Sequence, residues 1–213
     1  MPLKIEPVSR SHNRRSFDCG SLDLKHYLQN TARQQTEKGI SRTCVPVEDN
    51  DPNEVLGFFT LTACEILVEK LPLRFAKKYP MRASAAKLAR LAVAKSFQKQ
   101  GFGTFMMLNA MERVLLVAEH LGVIGFFGDA KDEGAAGYYT QFGFIPLTDR
   151  PLELFLPIAT IRKAFYFWFR NLPRYSRRSR PALMRRAARG RATRDLRGDR
   201  APPGGGGNFT WPT

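Results

Sequence analysis

Three residues near the middle of the chain could hold a phosphate without help from a metal. Gln98, Gly101 and Gly103 stand as Q-x-x-G-x-G, and the residues after Phe102 change to helical spacing. The first N–H groups of a helix have no partner inside it, and the aligned peptide dipoles place about half a positive charge there. A loop entering a helix is therefore an anion site, and glycines at 101 and 103 keep side chains from holding a diphosphate away. Two other phosphate loops do not fit. No Lys follows Gly103 as a P-loop requires, and the G-x-G-x-x-G of a dinucleotide fold is missing.

The elements that must position this loop flank it. Residues 88–93 (LARLAV) are apolar apart from Arg90 and read as a strand buried on both faces. Phe105, Leu108, Met111, Leu115 and Ala118 recur at helical spacing on the other side. The order is strand, glycine loop, helix.

LARLAV followed by QKQGFG resembles the acetyl-CoA loop of the GCN5-related N-acetyltransferases, the GNAT superfamily. The resemblance implies a mixed α/β fold whose mostly antiparallel central sheet is splayed at the acetyl-CoA site and flanked by helices. It implies that the backbone of Leu91, Ala92 and Val93 meets pantetheine. Gln98, Lys99, Gln100, Gly101, Phe102, Gly103 and Thr104 then match the family's pyrophosphate loop. A second stretch, DAKDEGAAGYYTQFGF at 129–144, resembles the GNAT toxins of bacterial toxin–antitoxin pairs, which acetylate the amino group of aminoacyl-tRNA. That subfamily's form is A-K-D-E-A-A-x-F-Y-x-x-F-G-F, so Tyr138 replaces the usual Phe and Tyr139 falls on the catalytic tyrosine. FDCGSLDLKHYLQNTA at 17–32 matches the same subfamily's opening helix, and the likeness covers about residues 3–163.

The chemistry implied is acetyl transfer from a thioester to an amine, with a backbone N–H near Val93 donating to the oxyanion and Tyr139 protonating the leaving sulfur. Tyr138, on the neighbouring helical position, is expected to point elsewhere and pack. Strand 88–93 carries no carboxylate to act as base. An α-amine titrates near 7.7 to 8, against about 10.4 for a lysine, so an α-amino acceptor needs a base least.

Composition limits the alternatives. At 213 residues and 43% hydrophobic, the chain can bury a core like an ordinary globular protein. No apolar run reaches the roughly 18 to 20 residues of a membrane span and no signal peptide is evident, so the cytoplasm is the expected compartment. Cys19, Cys44 and Cys64 are odd in number and lie far apart, which suggests neither disulfides nor a metal site. The net charge of +15 is concentrated late in the chain: 14 of the 34 Lys and Arg, and 2 of the 19 Asp and Glu, fall at 162–213. That leaves 20 basic against 17 acidic residues, a net +3, for positions 1–161. A basic connection nevertheless precedes the cofactor strand. Lys77, Lys78, Arg82 and Lys87, with Arg90 inside the strand, are candidates to meet a tRNA backbone. Glu65, alone in its strand, is more readily a solvated side chain than a base.

In order, the patterns predict a strand at 3–7 and a helix at 22–38 capped by Ser21. Strands come next at 42–47 and 55–67, then the strand, loop and long helix already described. A strand at 123–128, a helix at 131–141, and paired strands at 144–147 and 152–156 complete the fold. Residues 1–163 are thus expected as the acetyltransferase domain, 164–172 as part of a last helix, and 173–213, rich in Arg, Pro and Gly, as a disordered tail. By resemblance the partners are aminoacyl-tRNA, a ribbon-helix-helix antitoxin, DNA only through the antitoxin complex, and a second copy in a homodimer. Two alternatives stay open: a GNAT enzyme for a small-molecule amine or a protein N-terminus, and a non-enzymatic RNA-binding protein using the basic tail.

Overall fold

Side-chain caps mark where helices begin. Ser21 accepts from Leu24 N at 3.4 Å to open α1 (Leu22–His26), and Asp132 accepts from Ala135 N at 2.7 Å to open α5 (Glu133–Thr140). The computed structural model describes residues 3–171. Between these caps, α1 runs through a π turn (Tyr27–Thr31) into α2 (Ala32–Glu37), and α3 is the short Leu73–Ala76. Helix α4 is Phe102–His120, and α6 is Ile158–Asn171. The strands are β1 (Leu3–Pro7), β2 (Arg42–Glu48), β3 (Gly57–Leu67), β4 (Arg82–Val93), β5 (Gly125–Asp129), β6 (Ile145–Leu147) and β7 (Arg150–Pro157).

The seven strands form one sheet in the order β1-β2-β3-β4-β5-β7-β6, and β4 with β5 is its parallel pair. The mixed, mostly antiparallel sheet expected from sequence is present. The main packed unit ends at Arg162, and α6 continues past it to Asn171. The expected tail at 173–213, and Leu172 of the expected last helix, lie outside the described residues.

Two elements differ most from the sequence reading. Strand β4 begins at Arg82, six residues before the expected start, because Arg82–Ala86 pairs with β3 along its far half, with Arg82 opposite Leu67 and Ala83 opposite Ile66. Alanine and serine favour strands weakly, so only the cross-strand pairing makes this stretch extended. The helix expected over 22–38 contains a π turn, in which Ala32 N–H reaches back to Tyr27 O. Its wider winding leaves Thr31 half-buried and turns Ala32 and Thr36 inward below Tyr27 and Leu28.

Tyr27 is the hub of that inward face. Its ring stacks on Phe58 at 6.0 Å, and its hydroxyl meets Gln35, Thr43 and Ser41 at 3.2, 3.3 and 3.5 Å. Thr43 reaches Thr60 at 2.9 Å, so the hydroxyls of Tyr27, Ser41, Thr43 and Thr60 buried under this helix are partnered. Phe17, Leu28, Val45, Val47, Phe58 and Ala92 fill the same layer, which fixes the last residues of β4 against the N-terminal segment.

Candidate active site

The parallel pairing of β4 and β5 is short. Ala86, Lys87 and Leu88 face Phe126, Phe127 and Gly128, and there it stops. On its other edge β4 remains paired with β3 as far as Val93 opposite Gly57. Thr60 faces Arg90 while Leu61 faces Leu88, so Ala89 is an extra residue, a bulge, at the point where β5 departs. Beyond it the backbone edge of Leu91, Ala92 and Val93 that faces away from β3 has no strand partner among the described residues. A strand-like ligand can lie along such an edge.

Tyr139 sits over the parting point. It is 8% exposed, and a Cβ on Gly128 would stand 2.9 Å from its Cε1, so the absent side chain of Gly128 is what lets the ring lie there. Phe144 meets the ring edge-on at 5.3 Å. The hydroxyl makes no hydrogen bond among the described residues. Burial raises the Tyr139 pKa to about 12, with the nearby Asp129 carboxylate as the second cause. The phenol is therefore firmly protonated at neutral pH, more so than the reference value near 10 implies.

The phosphate loop is shaped by two residues with positive φ. Gly101, at +86°, is the N-cap of α4 with no side chain capping the helix, and Lys99, at +60°, is a non-glycine in the same region. Nothing lies within 4 Å of where a Gly101 Cβ would be. Space is therefore open on that side of the turn. Gly103 differs. Its missing side chain makes room for Tyr138, whose Oη lies 3.1 Å from the ideal Cβ position. Tyr138 packs on Phe142 at 5.1 Å as the sequence suggested, and its hydroxyl ends at the first turn of α4.

Gln98 is tied to the main chain. Its Nε2 donates to Val93 O and to Cys19 O, both at 3.1 Å. Lys95 adds its N–H to Asp18 O at 2.9 Å and its ammonium to Asp18 Oδ2 at 2.8 Å. Residues 18–20 therefore clasp the loop from behind. The Lys95 ammonium draws the Asp18 carboxyl below its usual range, and the Gly20 N–H adds to this. Gln100 bonds Ser96 O at 2.8 Å, bracing the turn from within.

The basic candidates separate into two kinds. Lys77 and Lys78 are exposed just beyond α3 and take part in no ion pair among the described residues. Arg82 pairs with Glu65 at 2.8 Å, which places Glu65 at the far end of the hairpin rather than beside Tyr139. Lys87 holds Asp129 at 2.5 Å, and Arg90 lies over the Tyr27 ring at 3.8 Å. A cavity of about 440 Å³ beside Arg82, Ser84, Ile124 and Arg162 lies at the start of β4, and none of residues 98–104 lines it. The sequence reading missed Asp18, Lys95, Gly128 and Asp129. Asp129 opens the 129–144 motif and was within reach, whereas the clasp joins positions 77 and 79 residues apart.

A parted β4/β5 pair, a glycine-entered helix after β4 and a tyrosine over the gap leave an open strand edge and an uncapped helix start that an extended, phosphate-bearing ligand can meet. The chain belongs to the acetyltransferase (GNAT) family, whose model matches residues 10–144. Among curated proteins it is 29% identical over 168 residues to the probable toxin TacT of Sinorhizobium fredii, covering 74% of this chain and 92% of that one. It is 28% identical over 149 residues to a tRNA-acetylating toxin of Mycobacterium tuberculosis, covering 70% and 88%. Among solved structures, a Tyr-to-Phe mutant of KacT superposes with a TM-score of 0.73 at 30% identity, over 78% of this chain and 100% of that one. AtaT complexed with acetyl-methionyl-tRNAfMet gives 0.72 at 30% identity, over 77% and 99%. A Tyr-to-Phe AtaT bound to acetyl-CoA and the C-terminus of the antitoxin AtaR gives 0.66 at 27%, over 78% and 99%.

Proposed function

We propose that this chain transfers acetyl from acetyl-CoA to the α-amino group of aminoacyl-tRNA and acts as the toxin of a toxin–antitoxin pair in the cytoplasm. The observation that carries the reading is the position of Tyr139, its ring across Gly128 where β5 leaves β4. The residues present fit the cofactor: Gly101 leaves open space at an uncapped helix start, and the edge of Leu91–Val93 away from β3 has no strand partner among the described residues. The Phe102, Gly103 and Thr104 amides would hold the diphosphate, and Leu91, Ala92 and Val93 the pantetheine. Bound acetyl-CoA supplies the activated acyl group.

Tyr139 holds a proton that is needed only as the sulfur takes on charge. Its raised pKa keeps it a donor through the neutral range, and the proton the amine loses on acylation can reload it. The exposed Lys77 and Lys78 carry the tRNA contact in this reading, since mobile surface cations give sequence-independent phosphate affinity. In this reading an antitoxin segment binds and silences the enzyme; AtaT is solved bound to the C-terminus of its own antitoxin AtaR.

The test is direct. Purified protein is incubated with labelled acetyl-CoA and total charged tRNA, and then with deacylated tRNA. Label that appears only on charged tRNA, and is lost on mild alkaline hydrolysis of the ester, supports the reading; label on protein or free amines instead would replace it. The same assay on a chain ending at residue 172 separates this enzyme from an RNA-binding protein that works through its tail.

A further inference from the structure

The end of β4 carries no carboxylate, yet the neighbouring strand places one at the parting point. Asp129 follows Gly128, the last residue of β5 paired with β4, and is itself paired with Glu153 of β7. Successive strand residues point to opposite faces. Gly128 faces the Tyr139 ring, so the Asp129 side chain stands on the other face, the one on which Phe127 is buried. From there it leans back across the parting, and Lys87 Nζ on β4 lies 2.5 Å from its Oδ2. The side chain is 55% exposed, so a ligand entering the gap can reach the carboxylate.

The other groups that could take a proton near this point are engaged elsewhere. Glu65 pairs with Arg82 at the far end of the hairpin, and Glu153 pairs with Arg150 at 2.6 Å, one strand further from β4. Cys64 feels the charges of Lys87 and Asp129, but burial pushes its thiol up and keeps it neutral. The Asp129 charge is felt at Tyr139 as well, which sets the two residues at one site from opposite faces.

We propose that Asp129, positioned by Lys87, accepts the proton that the acceptor amine loses, on the face of the parted strands opposite Tyr139. The inference rests on the acetyl-transfer reading above. As the α-amine attacks, an N–C bond forms and the C–S bond breaks. Asp129 takes the proton from nitrogen while Tyr139 gives one to sulfur. The Asp129 proton then returns through water to the Tyr139 oxygen, so amide and thiol leave and both side chains end as they began. A carboxylate is a weak base toward a free ammonium, and it suffices for a nitrogen made acidic by bonding to the acyl carbon.

The test measures Asp129→Asn and Asp129→Ala with acetyl-CoA and charged tRNA, with and without sodium formate. Both variants should lose about 10²-fold in kcat, the lower end for a general base. Acetyl-CoA affinity by calorimetric titration and the Tm should stay close to wild type, because a half-exposed ion pair contributes little to stability. Formate should raise the kcat of Asp129→Ala about tenfold, since Lys87 remains to hold it in the vacated space, and should leave Asp129→Asn unchanged. Wild-type kcat in Asp129→Asn would overturn the proposal. So would a loss that formate leaves untouched, and a lowered Tm beside it would mark the ion pair as a staple between the strands. Wild-type protein that binds acetyl-CoA but labels no charged tRNA would instead sink the reading beneath it.

Discussion

Gly128 and Tyr139 meet at the one place where the parallel pair of strands opens, with 2.9 Å between the ring's Cε1 and the position a Gly128 Cβ would take. The contact ties a strand residue without a side chain to the residue placed to handle the proton. Gly128→Ala should force the buried ring aside. Overpacking of this kind typically costs about 1–3 kcal/mol, so the Tm should drop by several degrees. The kcat should fall well over tenfold while acetyl-CoA affinity, read by titration, changes little. A variant with full kcat would mean that the ring's position is unimportant.

Tyr139→Phe keeps the ring and removes the hydroxyl. Folding and acetyl-CoA affinity should stay within error, and acetyl transfer to charged tRNA should fall by about 10²–10⁴, the usual span for losing a general acid. The variant should also relieve growth arrest on expression. Unchanged transfer by the purified variant would refute the assignment.

The same residue predicts a pH effect on stability. Its pKa is raised in the fold, to about 12, from a reference near 10. The folded state then binds more protons than the unfolded chain between those values, so stability declines as pH rises from about 10 to 12. Chemical denaturation at pH 9, 10 and 11 should show a shallower decline for Tyr139→Phe than for wild type.

Gln98 lies behind the phosphate loop and donates to the carbonyls of Val93 and Cys19. In Gln98→Glu a carboxylate that cannot donate would face two carbonyl oxygens, and the loop should loosen. Acetyl-CoA affinity should drop about tenfold, in line with two lost hydrogen bonds of about 0.5–1.5 kcal/mol each, partly replaced by water. A direct ligand role would make the loss disappear with S-acetyl-pantetheine, whereas a misplaced β4 end would make it persist.

Gly101 stands at φ +86° with open space beside it. Ala there should cost about 1–2 kcal/mol of backbone strain and weaken acetyl-CoA modestly. Asp adds a negative charge beside the diphosphate and should weaken binding further, by a margin that shrinks in 0.5 M salt. Wild-type affinity for Gly101→Asp would remove the diphosphate from this loop.

Much of the fold was legible because caps, glycines and periodicity are local. Ser21 and the change of spacing at Phe102 each mark an element within a few residues. Arg82–Lys87 did not announce itself as strand, since its alanines and serine become extended only when β3 lies alongside. The π turn at Tyr27–Thr31 was equally hidden, because what places it is a ring on Phe58 and a hydroxyl shared with Thr43, both distant in sequence.

The sequence by itself determined that a glycine loop enters a helix directly after a strand, and that a tyrosine pair lies in a motif some forty residues on. Backbone chemistry suffices for that: an uncapped helix start attracts anions wherever it occurs. What only the tertiary structure decided is how the parts divide the work. It gave Gly101 to open space and Gly103 to the Tyr138 hydroxyl, set Gln98 on the main chain behind the loop, and drew Arg82, Lys87 and Arg90 into contacts with Glu65, Asp129 and Tyr27. The physical reason is that burial and pairing depend on which distant segments share a surface, and no local pattern encodes that neighbour.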